Sequence, residues 1–330
     1  MKKKKNSGKK KNTSNKTVVD LKVGLITKST GLWYEVEDTE THQTFKGRLR
    51  GKLKLKGMKV TNPIAVGDLV DYALEDEVEN TVIIHDIRDR KNIILRQSTR
   101  KKWHGHIIAS NIDQAILIAT LALPKTSLGF IDRFLVAAES YNIPTYIVFN
   151  KDDLLEDEDR AYLDELRAIY EPLGYKCLRL SALEDENLDG IKEVINGKKS
   201  LLVGHSGVGK STLLNKLASN VQQRTDEISL FANKGKHTTT FAEMFELTEH
   251  NGHLIDTPGI KELGIMGIDE NEIGHFFPEI RDVIQECKYN NCTHTHEPQC
   301  KVRELVDEGT IAISRYLSYL SMLEGDDNRK

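Results

Sequence analysis

The stretch Gly204-His205-Ser206-Gly207-Val208-Gly209-Lys210-Ser211 decides the fold of this chain, and it lies downstream of Asn150-Lys151-Asp152-Asp153. The first stretch reads as a phosphate-binding loop. Its glycines carry no Cβ, so backbone N–H groups can wrap a β-phosphate. In this pattern Lys210 reaches the β- and γ-phosphates, and the hydroxyl of Ser211 ligates Mg²⁺. The flanks fit. Ser200-Leu201-Leu202-Val203 is an apolar run of strand length, and Thr212 to Leu217 has helical spacing. Such a helix aims its positive N-terminus at the phosphates, with Thr212 beside Ser211.

The second stretch follows the β-branched and aromatic run Thr145 to Phe149 and reads as a guanine-recognition loop. In N-K-x-D the final carboxylate, Asp153, accepts two hydrogen bonds from N1–H and the 2-amino group of guanine. Adenine offers no such pair, and a site built for two hydrogen bonds rejects a ligand that leaves them unmade. Asn150, Lys151 and Asp152 complete the loop, bracing it and covering the ring. The plain alternative for Asp153 is an acidic helix cap. Ser181-Ala182-Leu183, after the apolar run at 176–180, can present a backbone N–H to guanine O6. Asp256-Thr257-Pro258-Gly259 follows His253-Leu254-Ile255. There Asp256 suits the second shell of Mg²⁺, and Gly259 can donate its N–H to a γ-phosphate. Between these motifs lies Gly235-Lys236-His237-Thr238-Thr239-Thr240. A hydroxyl from Thr239 or Thr238 would complete the Mg²⁺ shell in the GTP state. Ordinary small GTPases carry the phosphate loop first. Here both halves of a GTP site are present in rotated order.

The 330 residues have a formal net charge of −3 and allow two or three domains. No apolar run is long enough to cross a bilayer, and the lysine-rich start lacks the apolar segment of a signal peptide, so the expected location is the cytoplasm. Residues 1–16 contain eight lysines among polar residues. They read as a disordered tail that binds RNA phosphates non-specifically or serves only solubility. From 17 to 97 the chain reads as five short strands: Val18 to Ile26, Leu32 to Val36, His42 to Leu49, Asp68 to Leu74 and Asn80 to Ile87. That count suggests a small closed β-barrel of the OB-fold type. Arg48, Arg50, Lys52, Lys54, Lys56 and Lys59 crowd one connection, which points to RNA or else to a charged edge that discourages strand pairing. A basic stretch, Arg96 to His106, reads as a linker. Alternating strands and helices over 98–268 then predict a parallel α/β sheet, with Ala115 to Leu121 a strand and Ile131 to Tyr141 an amphipathic helix. Sites in such sheets gather at the C-terminal strand ends.

Of the four cysteines, Cys177 reads as a core residue. Cys287, Cys292 and Cys300, with His294 or His296, form a ligand set for one structural Zn²⁺ that staples residues 269–330. A closing helix is expected from Val302 to Leu323.

The rotated order N-K-D-D, S-A-L, G-H-S-G-V-G-K-S, G-K-H-T-T-T and D-T-P-G, then C-x4-C-x-H-x5-C behind a β-barrel, resembles the bacterial small-ribosomal-subunit-dependent GTPases of the RsgA (YjeQ) family. The resemblance covers all but the lysine tail. It implies an OB-fold, a circularly permuted P-loop GTPase domain and a helical zinc-binding domain, and it selects His294 as the fourth zinc ligand. It further implies late maturation of the small ribosomal subunit, contact with its rRNA, and GTP hydrolysis stimulated by that particle. Many family phosphate loops carry Gln or Asn where His205 stands. Potassium-activated GTPases carry Asn where Gly207 stands, so no potassium dependence is expected. Ordinary GTPases place a water-orienting Gln where Ile260 stands, which leaves His237 as the internal candidate for positioning water, beside Lys210 and Thr239. A monomer is expected. Two competing readings are an RNA scaffold whose GTP site only stabilises the fold, and a P-loop ATPase.

Overall fold

The computed structural model describes residues 20–51, 62–97, 105–184, 188–218, 242–257 and 268–325. The lysine tail, the run Lys52 to Lys59, the candidates His237, Thr238 and Thr239, and Gly259 with Ile260 lie outside the described residues. Among the described residues no helix is long and apolar enough to cross a membrane.

The first five strands are β1 (Lys22–Ser29), β2 (Tyr34–Asp38), β3 (Thr44–Leu49), β4 (Leu69–Asp76) and β5 (Thr81–Ile87). They pair in the order β1-β2-β3-β5-β4, and β4 returns to β1. Only the β3–β5 pair is parallel, so the ring is the five-stranded Greek-key barrel of an OB-fold. Period-two burial drives the closure. In β2, Tyr34, Val36 and Asp38 point inward while Glu35 and Glu37 stay partly exposed. Ile26, Val70, Tyr72, Val82 and Ile84 fill the same core. Among the described residues the first strand spans Lys22 to Ser29, past the Ile26 expected as its end, and Gly24 and Leu25 pair with both β2 and β4.

The expected linker from Arg96 to His106 needs correction. Arg96, Gln97, Gly105 and His106 belong to a two-stranded ladder of β6 (Ile93–Gln97) and β7 (Gly105–Ser110). Ile93 and Ile107 pack with Ala65 in a small core of their own, and that burial outweighs the basic composition that suggested a solvated connection.

The central sheet contains β8 (Gln114–Ala119), β9 (Thr145–Phe149), β10 (Cys177–Arg179), β11 (Lys199–Val203), β12 (Glu243–Leu247) and β13 (Gly252–Asp256). Their order is β10-β9-β8-β11-β13-β12, parallel except for β12. Every residue of β8 is buried. Ala115, Leu117 and Ala119 enter one core and Ile116 and Ile118 the other, as a strand covered on both faces requires. Helices α1 (Leu128–Ser140) and α2 (Asp157–Tyr170) cover the first face; α3 (Asp189–Ile195) and α4 (Lys210–Leu217) cover the second. Among the described residues the barrel pairs with this sheet at one bridge, Lys28 opposite Glu243, reinforced by an ion pair at 2.9 Å.

The C-terminal unit packs α5 (Pro278–Arg281), α6 (Lys301–Asp307) and α7 (Ile313–Leu323) around Phe277, Ile280, Val302, Tyr316 and Tyr319. The single closing helix expected from Val302 to Leu323 is two. Gly309, at φ +78°, ends α6 in the left-handed region, and Ile311 N–H returns to the Leu305 carbonyl. The break lets α6 and α7 each contribute side chains to one core beside the cysteine loop.

Candidate nucleotide and metal sites

Asn150, at the end of β9, is 3% exposed and joins three loops. Its Nδ2 donates to the Val208 carbonyl at 2.7 Å, its Oδ1 accepts from Ala182 N–H at 2.8 Å, and its own N–H donates to the Ala119 carbonyl. The rotated motifs are thereby brought to one place, at the C-terminal ends of adjacent parallel strands. Gly209 (φ +99°) leaves room for the Asn150 amide, and a Cβ there would overlap it. At Gly204 (φ +153°) a Cβ would lie 2.5 Å from the Ile118 carbonyl oxygen. Both glycines are therefore demanded by close backbone approach as well as by φ.

Asp153 and Ser181 face each other: the Ser181 hydroxyl donates to one Asp153 carboxylate oxygen and accepts from Glu184 N–H at 3.0 Å. The Asp153 carboxylate stays exposed while held in orientation. It does not cap α2, whose N-cap is Glu156. Lys151 adopts φ +68° and donates its Nζ to the Leu123 carbonyl. Asp152 turns away to ion pairs with Arg179 at 3.3 Å and Arg160 at 3.9 Å.

Lys210 opens α4 and is 8% exposed. Its Nζ donates to the carbonyls of Gly204 and His205, each at 2.8 Å, so the ammonium lies under its own loop. Burial pulls its pKa below the ordinary lysine value, and the Asp256 carboxylate opposes that shift. Ser211 and Thr212 are exposed at the same helix start. Asp256 closes β13, and Thr257 beside it is fully buried, with its hydroxyl donating to the Leu202 carbonyl at 3.0 Å. That bond ties Thr257, just after β13, to β11. The sequence held no sign of it beyond the hydroxyl itself.

Cys287, Cys292, His294 and Cys300 place one ligand atom each within 4.8 Å of one another. His294 Nδ1 lies 3.5 Å from Cys287 Sγ and 3.4 Å from Cys300 Sγ, and those two sulfurs are 4.0 Å apart. A tetrahedral zinc with ordinary bond lengths needs about 3.8 Å between sulfurs and about 3.5 Å between sulfur and nitrogen. The donor set fits that ion. His296 is exposed and bonded to Thr295, outside the cluster. Three supports escaped the sequence reading. Tyr316 and Tyr319 donate to the carbonyls of His294 and Thr293 at 2.6 and 2.8 Å. Glu297 accepts from Thr293, Thr295 and His296. Partial burial works against its ionisation, yet these hydrogen bonds hold its carboxyl down at about 2.

Residues 87–266 match the RsgA GTPase family and residues 23–82 the RsgA N-terminal domain. A protein of Bacteroides thetaiotaomicron, small ribosomal subunit biogenesis GTPase RsgA 2, is 48% identical over 93% of this chain and 98% of its own length. The chain belongs to the RsgA family. RsgA of Flavobacterium johnsoniae is 47% identical over 92% of this chain and 93% of its own. Among solved structures, YjeQ from Thermotoga maritima aligns with a TM-score of 0.72 at 34% identity, covering 94% of this chain and all of that one. YloQ, a circularly permuted GTPase, aligns at 0.70 and 28%, covering 96% and 99%. As an RsgA-family protein the chain is a GTP phosphohydrolase with a permuted P-loop domain. The RsgA sheet order explains why permutation is tolerated: the strands that carry the motifs stay adjacent whichever connection is cut.

Proposed function

We propose that this GTPase binds the small ribosomal subunit, acts in its late maturation, and hydrolyses GTP to GDP and phosphate with stimulation by that particle. The observation that carries the nucleotide half is Asn150, whose side chain ties the base-reading loop to the phosphate loop and to Ala182. The ribosomal half is supported by the relatives' names and by a barrel of the type that binds nucleic acid.

In this reading residues 1–16 are the lysine tail, 17–97 the RNA-binding barrel, 98–268 the GTPase domain and 269–330 the zinc-binding domain. Asp153 reads guanine, held by Ser181; Ala182 N–H faces O6; Asn150, Lys151 and Asp152 shape that loop. Residues 204–209 and Thr212 line the phosphates. Lys210 leaves its loop carbonyls for the β- and γ-phosphates and stabilises charge on the transferring group. Ser211 and Thr239 hold Mg²⁺, with Asp256 behind it, and Thr238 and Gly259 approach the γ-phosphate. His237 positions the attacking water, because Ile260 has no group to do so. Cys287, Cys292, His294 and Cys300 hold one structural Zn²⁺. The protein works in the cytoplasm as a monomer.

Co-sedimentation with small and large subunits, run with GDP, with a non-hydrolysable GTP analogue and without nucleotide, tests the proposal alongside multiple-turnover hydrolysis. Selective, nucleotide-dependent binding to small subunits and a raised turnover are expected. Equal binding to both subunits, or turnover indifferent to them, would leave an RNA scaffold as the better description.

A further inference from the structure

Helix α1 touches both the phosphate loop and the C-terminal unit, on opposite faces. On one face the Phe130 ring packs against the His205 ring, with centroids 3.9 Å apart. His205 lies within the phosphate loop, and its carbonyl accepts from Lys210. On the other face Asp132, fully buried, accepts from Arg315 at 2.7 Å and from the Tyr170 hydroxyl at 2.8 Å. Arg315, on α7 and 1% exposed, also donates to both oxygens of Glu279, at 2.7 and 3.1 Å, and its guanidinium stacks 4.6 Å from the Phe277 ring centre. Val136 continues this face into the core of the C-terminal unit, and Glu139 pairs with Arg281 at 3.2 Å. Asp132, Val136 and Glu139 share a stripe by their spacing, and Phe130, two residues from Asp132, points elsewhere.

Residues two positions apart on one rigid helix cannot move independently. A buried charge held by hydrogen bonds and ring stacking has one good geometry, so Arg315 fixes α1 in azimuth and along its axis. The α1 N-terminus, fixed in turn by Ser127, which accepts from Phe130 N–H, then sets where the Phe130 ring meets His205.

We propose that Phe130 is a positioning residue for the phosphate loop, and that through α1 and the Arg315 cluster the seating of the C-terminal unit and nucleotide occupancy are coupled. This rests on the loop at 204–211 being the nucleotide site, and binding of a fluorescent GDP analogue by the wild-type protein tests that premise separately. The coupling must be reciprocal: what the C-terminal unit does for nucleotide affinity, nucleotide does for the seating of that unit.

The test uses the full-length zinc-loaded protein and a two-by-two cycle of Phe130→Leu and Glu279→Gln, read as the dissociation constant of the GDP analogue. Each change removes the same link from one end. Each is expected to weaken binding by about fivefold, and the double variant by about the larger single factor rather than by the product. Phe130→Tyr, which keeps the ring, should bind as the wild type does. Saturating GDP should slow backbone hydrogen exchange in α7 of the wild type, and this slowing should vanish in Phe130→Leu. If Glu279→Gln fails to fold, Ser318→Ala, which removes the α7 hydroxyl bonded to Asp132, takes its place in the cycle. Single effects that simply multiply, or α7 exchange indifferent to GDP in a wild type that binds it, would overturn the proposal.

Discussion

Lys210 shows how burial and two carbonyl partners set the properties of a single side chain. Its ammonium is buried beneath its loop on two carbonyls, and burial depresses its pKa. In the proposed function phosphates lie beside this ammonium; there they would favour the protonated form and raise that pKa in the complex. Between the two values nucleotide binding takes up a proton. The affinity for GDP therefore falls as pH rises through the depressed value, by up to about tenfold per unit, beginning below the pH at which free lysine titrates. Calorimetry in buffers of different ionisation enthalpy, from about pH 7 to about pH 10, should register growing proton uptake. An uptake that stays at zero across that range would remove Lys210 from contact with the phosphates. Asp153 illustrates the complementary case. The Ser181 hydroxyl fixes the carboxylate, which in the proposed function would reduce the ordering that binding a base must impose.

At the scale of elements, the cysteine loop between α5 and α6 is too short to hold its shape by apolar burial alone. Its order comes from donors that converge on one point, with Glu297 and two tyrosine hydroxyls gripping the backbone around them. His294 sits at φ +58°, so the loop bends to bring its ring inward. His294→Ala should abolish stoichiometric zinc and unfold the C-terminal unit, while His296→Ala should leave both unchanged. Metal content by elemental analysis and thermal melts with and without chelator would show the contrast. Equal zinc loss in the two variants would contradict the ligand assignment. Cys177 marks the opposite use of a thiol: burial pushes it up to about 12, and it packs in the core beside β9 as an inert residue.

For the molecule as a whole, the joints between its parts differ sharply in strength. Lys28 and Glu243 connect barrel and sheet through a partly exposed ion pair, worth at most about 1 kcal/mol. Asp68, fully buried at the start of β4, accepts two guanidinium hydrogen bonds from Arg90 at 2.6 Å and a further one from Ser110, which ends β7. Removing one partner of a buried pair costs about 3–5 kcal/mol. Arg90→Ala should therefore lower the denaturation midpoint strongly and expose the barrel to limited proteolysis, whereas Lys28→Ala should change either little. Comparable losses in the two variants would show that the barrel's seat lies elsewhere. The Arg315 cluster is the matching joint at the other end, between α1 and the C-terminal unit.

The sequence by itself determined the parts. The period-two burial of β2, the two-faced apolar run of β8, the glycines at 204 and 209 and the cysteine spacing each follow from local chemistry acting over a few residues. It also gave the reading proposed for each loop toward GTP, since those motifs carry their hydrogen-bonding groups with them. Where parts meet was a different matter. The paired ends of the basic stretch at 96–106 read as a linker, because composition does not reveal an isoleucine core supplied partly by Ala65. The break at Gly309 was invisible while the apolar spacing continued through it. Asp132 lies in the stretch expected as an amphipathic helix, and nothing near it in the chain points to its partner at position 315. Only the tertiary structure decided these, because a buried charge or a strand edge is stabilised by groups remote in the chain, and local pattern carries no information about which remote group will arrive.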